Sequence, residues 1–186
     1  MKEQNNNEKP AQRKGLLIVN TGNGKGKTTA ALGVLTRAWG RGMKVVMLQF
    51  IKAKTGKWGE IRAAKKMGVE IIPLGDGFTW TSNDLEKDKR LAREGWERCK
   101  ERILAPEGDY DIVILDEFTY PLHFGWLPID EVLEVLKQRP PMRHIIVTGR
   151  NAPQQLIDQA DLVTEMRMIK HPFDEQGIKA QPGIEF

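Results

Sequence analysis

Thr21-Gly22-Asn23-Gly24-Lys25-Gly26-Lys27-Thr28-Thr29 is the stretch from which the fold can be read. The apolar run Leu16-Leu17-Ile18-Val19 before it has the character of a buried strand, and Ala30-Ala31-Leu32-Gly33-Val34-Leu35 after it opens a helix. A glycine-rich turn in that setting is a phosphate cradle. Its glycines let the backbone approach a polyanion and turn N–H groups inward, while the helix that follows presents the positive end of its dipole. Lys27 supplies a mobile cation for phosphate oxygens, and the Thr28 hydroxyl is placed to ligand Mg²⁺. The general form is G-x-x-x-x-G-K-[ST], and Thr21 stands where its first glycine belongs. ATP or GTP binding is the expectation.

A second informative stretch is Asp111-Ile112-Val113-Ile114-Leu115-Asp116-Glu117. Four apolar residues running into two acids describe a central parallel strand whose C-terminal end delivers carboxylates to the phosphate site, the Walker B arrangement. One acid can hold Mg²⁺, and the other can polarise a nucleophile or bind the metal. The bland alternative is a charged strand end facing solvent, and the preceding phosphate loop argues against it.

Between and beyond these motifs, strands alternate with helices. Val45 to Phe50 reads as a strand, Lys52 to Trp58 as a basic loop, Gly59 to Met67 as a helix ended by Gly68, and Val69 to Pro73 as a short strand. Leu74 to Thr81 reads as a loop. From Ser82 or Asn83 as cap, a charged stretch through Leu104 carries apolar residues at Leu85, Leu91, Trp96, Cys99 and Ile103, the pattern of a long surface helix. Pro128 to Lys137 is a helix, His144 to Arg150 a strand with a polar turn, Pro153 to Gln159 a short helix, and Leu162 to Met166 an edge or final strand. Lys170 to Phe186 reads as an irregular tail. The expected fold is therefore α/β, a single P-loop NTPase-like (RecA-like) domain over residues 15–186. Its mostly parallel sheet has helices on both faces, and a polar arm over residues 1–14 precedes it.

Composition narrows the class further. The 186 residues suit one domain, and the formal charge of +4 comes from basic residues interleaved with acids, so a nucleic-acid partner is not implied. Cys99 is the only cysteine, which excludes an internal disulfide and a cysteine-cluster zinc site. His123, His144 and His171 are too scattered for zinc and read as surface, core and tail residues. No stretch has the length of a membrane span and no secretory signal is evident, so the expectation is a cytoplasmic protein without membrane partners.

Taken together, Thr21 to Thr29, Gln49-Phe50-Ile51-Lys52, Gly77-Phe78-Thr79-Trp80, Leu115-Asp116-Glu117, Thr148-Gly149-Arg150 and Lys170-His171-Pro172-Phe173-Asp174 with Gly177-Ile178-Lys179-Ala180-Gln181 closely resemble the P-loop corrinoid adenosyltransferase family. The match runs in order from about Gly15 to Phe186, and the family's own loop carries threonine at the position of Thr21. The resemblance implies transfer of the 5′-deoxyadenosyl group of ATP to the Co(I) of a corrinoid, cobalamin or a precursor, with triphosphate as leaving group. It also implies a nucleotide reversed in the loop, so that ribose C5′ faces the cobalt.

Carried across, the resemblance assigns Gly22, Asn23, Gly24, Lys25, Gly26, Lys27, Thr28 and Thr29 to ATP. Thr28, Glu117 and Asp116 go to Mg²⁺, with Lys27, Thr28 and Glu117 as the catalytic set. Phe78 and Trp80 match the aromatic pair that displaces the lower axial base of the corrinoid and so eases its reduction; by themselves, two aromatics in such a loop could equally be hydrophobic plugs. The arm before Gly15 is shorter than in family members whose N-terminal helix closes over the corrin. A homodimer, with Trp39, Trp58, Trp96 or Trp126 as candidate interface residues, and an electron donor such as a reduced flavoprotein are further implications. The rival readings are a P-loop ATPase or kinase, and a nucleotide-dependent binding module using Lys52, Lys54 and Lys57 on single-stranded nucleic acid.

Overall fold

Runs rich in Ile, Val and Leu form six strands, β1 (Leu17–Thr21), β2 (Val45–Ala53), β3 (Glu70–Gly75), β4 (Ile112–Asp116), β5 (His144–Thr148) and β6 (Leu162–Glu165). They alternate with α1 (Lys27–Trp39), α2 (Gly59–Met67), α3 (Leu85–Ile103), α4 (Thr119–His123), α5 (Ile129–Lys137), α6 (Gln154–Gln159) and α7 (Pro172–Gln176). The computed structural model describes residues 13–53, 56, 58–75 and 84–185, with Ala53 described by its backbone alone. Every strand pairing is parallel and the order is β3-β2-β4-β5-β1-β6, the expected P-loop NTPase-like, RecA-like sheet. The phosphate-loop strand and the acid-bearing strand are thus separated by β5.

Strand side chains alternate between two cores, as the period of two requires. Leu17, Val19, Val46, Leu48, Val113, Leu115, Ile145 and Val147 meet Trp96, Cys99 and Ile103 of α3, Val132 and Leu136 of α5 and Leu156 of α6. Val45, Met47, Ile112, Ile114 and Ile146 meet Ala31, Leu35 and Ala38 of α1 on the other face. The same alternation carries Gln49, Asp116 and Thr148 to the α1 face at the strands' C-terminal ends. Register places them side by side, with Gln49 opposite Asp116 and Thr148 opposite Asn20.

Several boundaries differ from the sequence reading for identifiable reasons. β2 runs through Lys52 to Ala53, beyond the apolar run, because Ala53 still pairs with Gly75 of an equally extended β3. The cap of α3 is Asp84, whose carboxylate accepts from the Lys87 N–H at 2.9 Å, so the helix starts after Ser82 and Asn83. This helix is only half a surface element, since Trp96, Cys99 and Ile103 are fully buried and Trp96 stacks on Phe118 with centroids 5.3 Å apart. The short helices α4 and α7 are too brief to show a helical period in sequence.

The far end of α3 is closed by a buried arginine. Arg143 donates through Nη1 to the Arg102, Ile103 and Ala105 carbonyls, through Nη2 to Pro106 and through Nε to Tyr110. A cation at a helix C-terminus meets both orphan carbonyls and the negative end of the dipole. It fixes the N-terminal edge of the sheet, opposite the phosphate loop.

Candidate active site

The phosphate loop leaves β1 and returns into α1 under steric constraint. A Cβ on Gly22, where φ is 95°, would lie 2.5 Å from the Met166 carbonyl oxygen, and one on Gly24 would lie 2.7 Å from the Met166 and Arg167 oxygens. Only glycine fits where the loop is pressed against the segment following β6. The Gly24 N–H donates to the Met166 carbonyl at 2.6 Å, so this one of the loop's amides is already engaged by the chain. Lys25 reaches outward to Glu185 at 2.6 Å, tying the loop to the tail.

Lys27, at the first turn of α1, folds back over the loop. Its ammonium donates to the carbonyls of Gly22 at 2.9 Å and Gly24 at 2.7 Å. Burial lowers its pKa, helped by Arg150 and Lys25 and opposed chiefly by Glu117. Thr28, the next residue, donates its hydroxyl to Asp116 Oδ1 at 2.8 Å. The two motifs singled out in sequence therefore meet by direct contact across the sheet.

Asp116 is fully buried and held from three sides. Thr148 donates to its Oδ1 at 2.7 Å and Gln49 Nε2 to its Oδ2 at 3.0 Å, in addition to Thr28. Glu117 follows at φ 56°, a left-handed conformation that costs a non-glycine residue about 1–2 kcal/mol. Two contacts hold it there. Its N–H donates to Thr148 Oγ1 at 2.9 Å, and Phe118 is anchored between Phe50 and Trp96. Glu117 Oε2 is buried and has no hydrogen-bond partner among the described residues. Burial first, and the Asp116 charge second, raise the Glu117 pKa to about 7.

Sequence reasoning gave several contributors to this end of the sheet no role at the acid pair, although Gln49, Lys52, Thr148 and Arg150 stood in the matched stretches. Gln49, Lys52, Thr148, Tyr120 and Arg150 all contact or electrostatically influence the acid pair, and Glu60 joins it through Gln49 and Lys52. The available signal was a lone amide, Gln49, inside the apolar run Val45 to Ile51. Lys52 is no loose basic-loop cation. It pairs with Glu60, lies 4.9 Å from the Trp58 ring centroid, and has its pKa lowered by burial. Phe78 and Trp80, Lys54 and Lys57, and residues 1–12 of the arm lie outside the described residues. Of the histidines, His144 accepts from the Leu16 N–H at 3.1 Å and is half-buried, while His123 is exposed.

The donor set suits a hard divalent cation. Thr28, Asp116 and Glu117 offer oxygen only, and no group of three or more His, Cys, Asp or Glu side chains that could hold a metal exists among the described residues. Mg²⁺ is commonly held by one or two carboxylates together with substrate phosphates, and the orphaned Glu117 Oε2 is the kind of acceptor such an ion takes.

A parallel sheet with a glycine loop, a buried lysine, a helix-start threonine and an acid pair at its C-terminal edge defines a P-loop nucleotide-binding protein. Comparison with known proteins specifies it further. The family model described as ATP:corrinoid adenosyltransferase BtuR/CobO/CobP matches residues 13–186, and the chain belongs to that family. It is 45% identical over 175 residues to the corrinoid adenosyltransferase of Escherichia coli (strain K12), covering 93% of this chain and 86% of the relative. It is 43% identical to the corrinoid adenosyltransferase of Pseudomonas aeruginosa, covering 96% and 89%. A crystal structure of the RadB recombinase aligns with a TM-score of 0.45 at 14% identity, over 86% of this chain and 78% of that one. No helix among the described residues is long and apolar enough to cross a membrane.

Proposed function

We propose that the protein transfers the 5′-deoxyadenosyl group of ATP to the cobalt of a reduced corrinoid and releases triphosphate. The observation that carries this reading is the family match over residues 13–186, laid over a site built of cations, hydroxyls and carboxylates. The bookkeeping is simple. The electron pair of Co(I) forms a bond to C5′, the C5′–O bond breaks, and its pair leaves with the triphosphate as cobalt becomes Co(III). Because the substrate metal is itself the nucleophile, the chain's task is alignment and neutralisation of departing charge. Lys27 and the loop amides hold the polyphosphate. Thr28, Asp116 and Glu117 hold Mg²⁺, which when bound supplies further positive charge to the leaving group. Phe78 and Trp80 act on the lower corrin face.

Two partners belong to the same reading. A donor such as a reduced flavoprotein brings cobalt to Co(I), and a homodimer is supported by apolar exposure along β6 and the tail, where Phe173 is 56% and Ile184 78% exposed. The test is incubation with ATP, Mg²⁺ and chemically reduced cobalamin, followed by absorbance for a light-sensitive cobalt–carbon product and by analysis of the phosphate product. Triphosphate in step with that product is expected. ADP formed without any corrinoid product would instead assign the site to an ATPase or kinase.

A further inference from the structure

Gln49 is the least expected residue at the acid pair. It is fully buried, yet it stands in the middle of β2, between the apolar residues Leu48 and Phe50. Its Nε2 donates to Asp116 Oδ2 at 3.0 Å and reaches Glu60 Oε1, in the first turn of α2, at 3.4 Å. Glu60 Oε1 in turn holds Lys52, whose ammonium lies over Trp58. Among the described residues Gln49 Oε1 is buried and makes no hydrogen bond, like Glu117 Oε2 just past the neighbouring strand. Burying an amide oxygen without a partner is costly, and a methionine or leucine would fill the same space without that cost. The position therefore invites an explanation beyond packing.

We propose that Gln49 is a positioning residue of the metal–nucleotide site, its carboxamide joining Asp116 to Glu60 so that Asp116 keeps its Oδ1 turned toward Thr28. The amide acts on one carboxylate oxygen and leaves the other to the two threonines. This is the role that supporting hydrogen bonds play around metal ligands, where they orient the ligand and set its basicity. The free Oε1 is an acceptor for a donor arriving with the ligand, such as a metal-bound water. Glu60 and Lys52 are the outer part of the same chain, linking α2 to the acids. The proposal rests on the nucleotide reading above.

The test measures ATP affinity of the full chain by titration calorimetry with and without Mg²⁺, for wild type, Gln49→Met and Gln49→Glu. In Gln49→Met, the tightening of ATP by Mg²⁺ should fall by about 10- to 100-fold while Mg²⁺-free affinity, set by the loop and Lys27, changes less than about twofold. Gln49→Glu keeps the shape but sets a second carboxylate against Asp116, and the Mg²⁺ concentration giving half-maximal ATP binding should rise by a similar factor. Circular dichroism of each variant separates misfolding from mispositioning, and Gln49→Glu carries the test if Gln49→Met does not fold. A Mg²⁺ effect equal to wild type in a folded variant would overturn the positioning role. Failure of the wild type to bind ATP more tightly with Mg²⁺ would instead overturn the metal–nucleotide reading beneath it.

Discussion

The two ends of this sheet bury charge in opposite ways. At the N-terminal edge the Arg143 guanidinium is saturated by five carbonyls of its own chain. At the C-terminal edge Lys27, Asp116 and Glu117 crowd together, with Glu117 in a left-handed backbone, its carboxyl pKa raised to about 7 and one of its oxygens without a partner among the described residues. The first arrangement is complete and serves stability. The second spends stability on a cluster whose remaining valences suit a polyanion and its cation, the pattern expected where function competes with folding.

The contrast is broken most severely at its two centres. Arg143→Leu should destabilise the fold by about 3–5 kcal/mol in denaturant titration, because the carbonyls it caps lose their partner inside the protein, while kcat of the protein that remains folded stays near wild type. Lys27→Ala should do the reverse, lowering single-turnover adenosylation by on the order of 10²- to 10³-fold with an unchanged circular dichroism spectrum. Were both variants to lose activity and stability in parallel, the division between the two ends would be wrong.

Glu117→Gln sharpens the comparison through pH. The folded carboxyl titrates near 7 against a reference value of 4.5, so between those values the folded protein keeps a proton that the unfolded chain has lost. Stability then falls as pH rises through that window, by on the order of 1–3 kcal/mol for this group, and levels off above it. Glu117→Gln should remove that slope. Thermal unfolding from pH 5 to 8, without nucleotide or divalent cation, should show the variant gaining on wild type as pH increases, and a constant difference would argue that Glu117 is already ionised. The smallest effect is expected at the rim. Glu185→Ala removes the exposed tie to Lys25 and should change stability by less than about 1 kcal/mol.

Much of this was legible in the chain. The strand, glycine loop and helix around Lys27 formed where their spacing indicated, and the run ending in Asp116-Glu117 formed a central strand. Legibility ended where a residue's role depends on a partner far along the chain. Gln49 lies 67 residues from the carboxylate it holds and Thr148 lies 32, so although both stand in stretches that match the family, nothing local marks their contact with Asp116. Arg143 drew no reading from the sequence for the same reason, since its carbonyl partners belong to the end of a helix some forty residues earlier. The tail was read as irregular, yet its Glu185 holds Lys25, and the backbone of Met166 and Arg167 just before it presses on Gly22 and Gly24.

By itself, then, the sequence determined the class of fold, the phosphate loop, the acid pair and the family, because these reside in short segments whose chemistry is local. Only the tertiary structure decided that β5 lies between the loop strand and the acid strand, that Thr28 donates to Asp116, and that Gln49 and Thr148 hold that carboxylate in place. The physical reason is that hydrogen bonds and desolvation act over a few ångströms of space, and strand order alone brings residues distant in sequence within that reach.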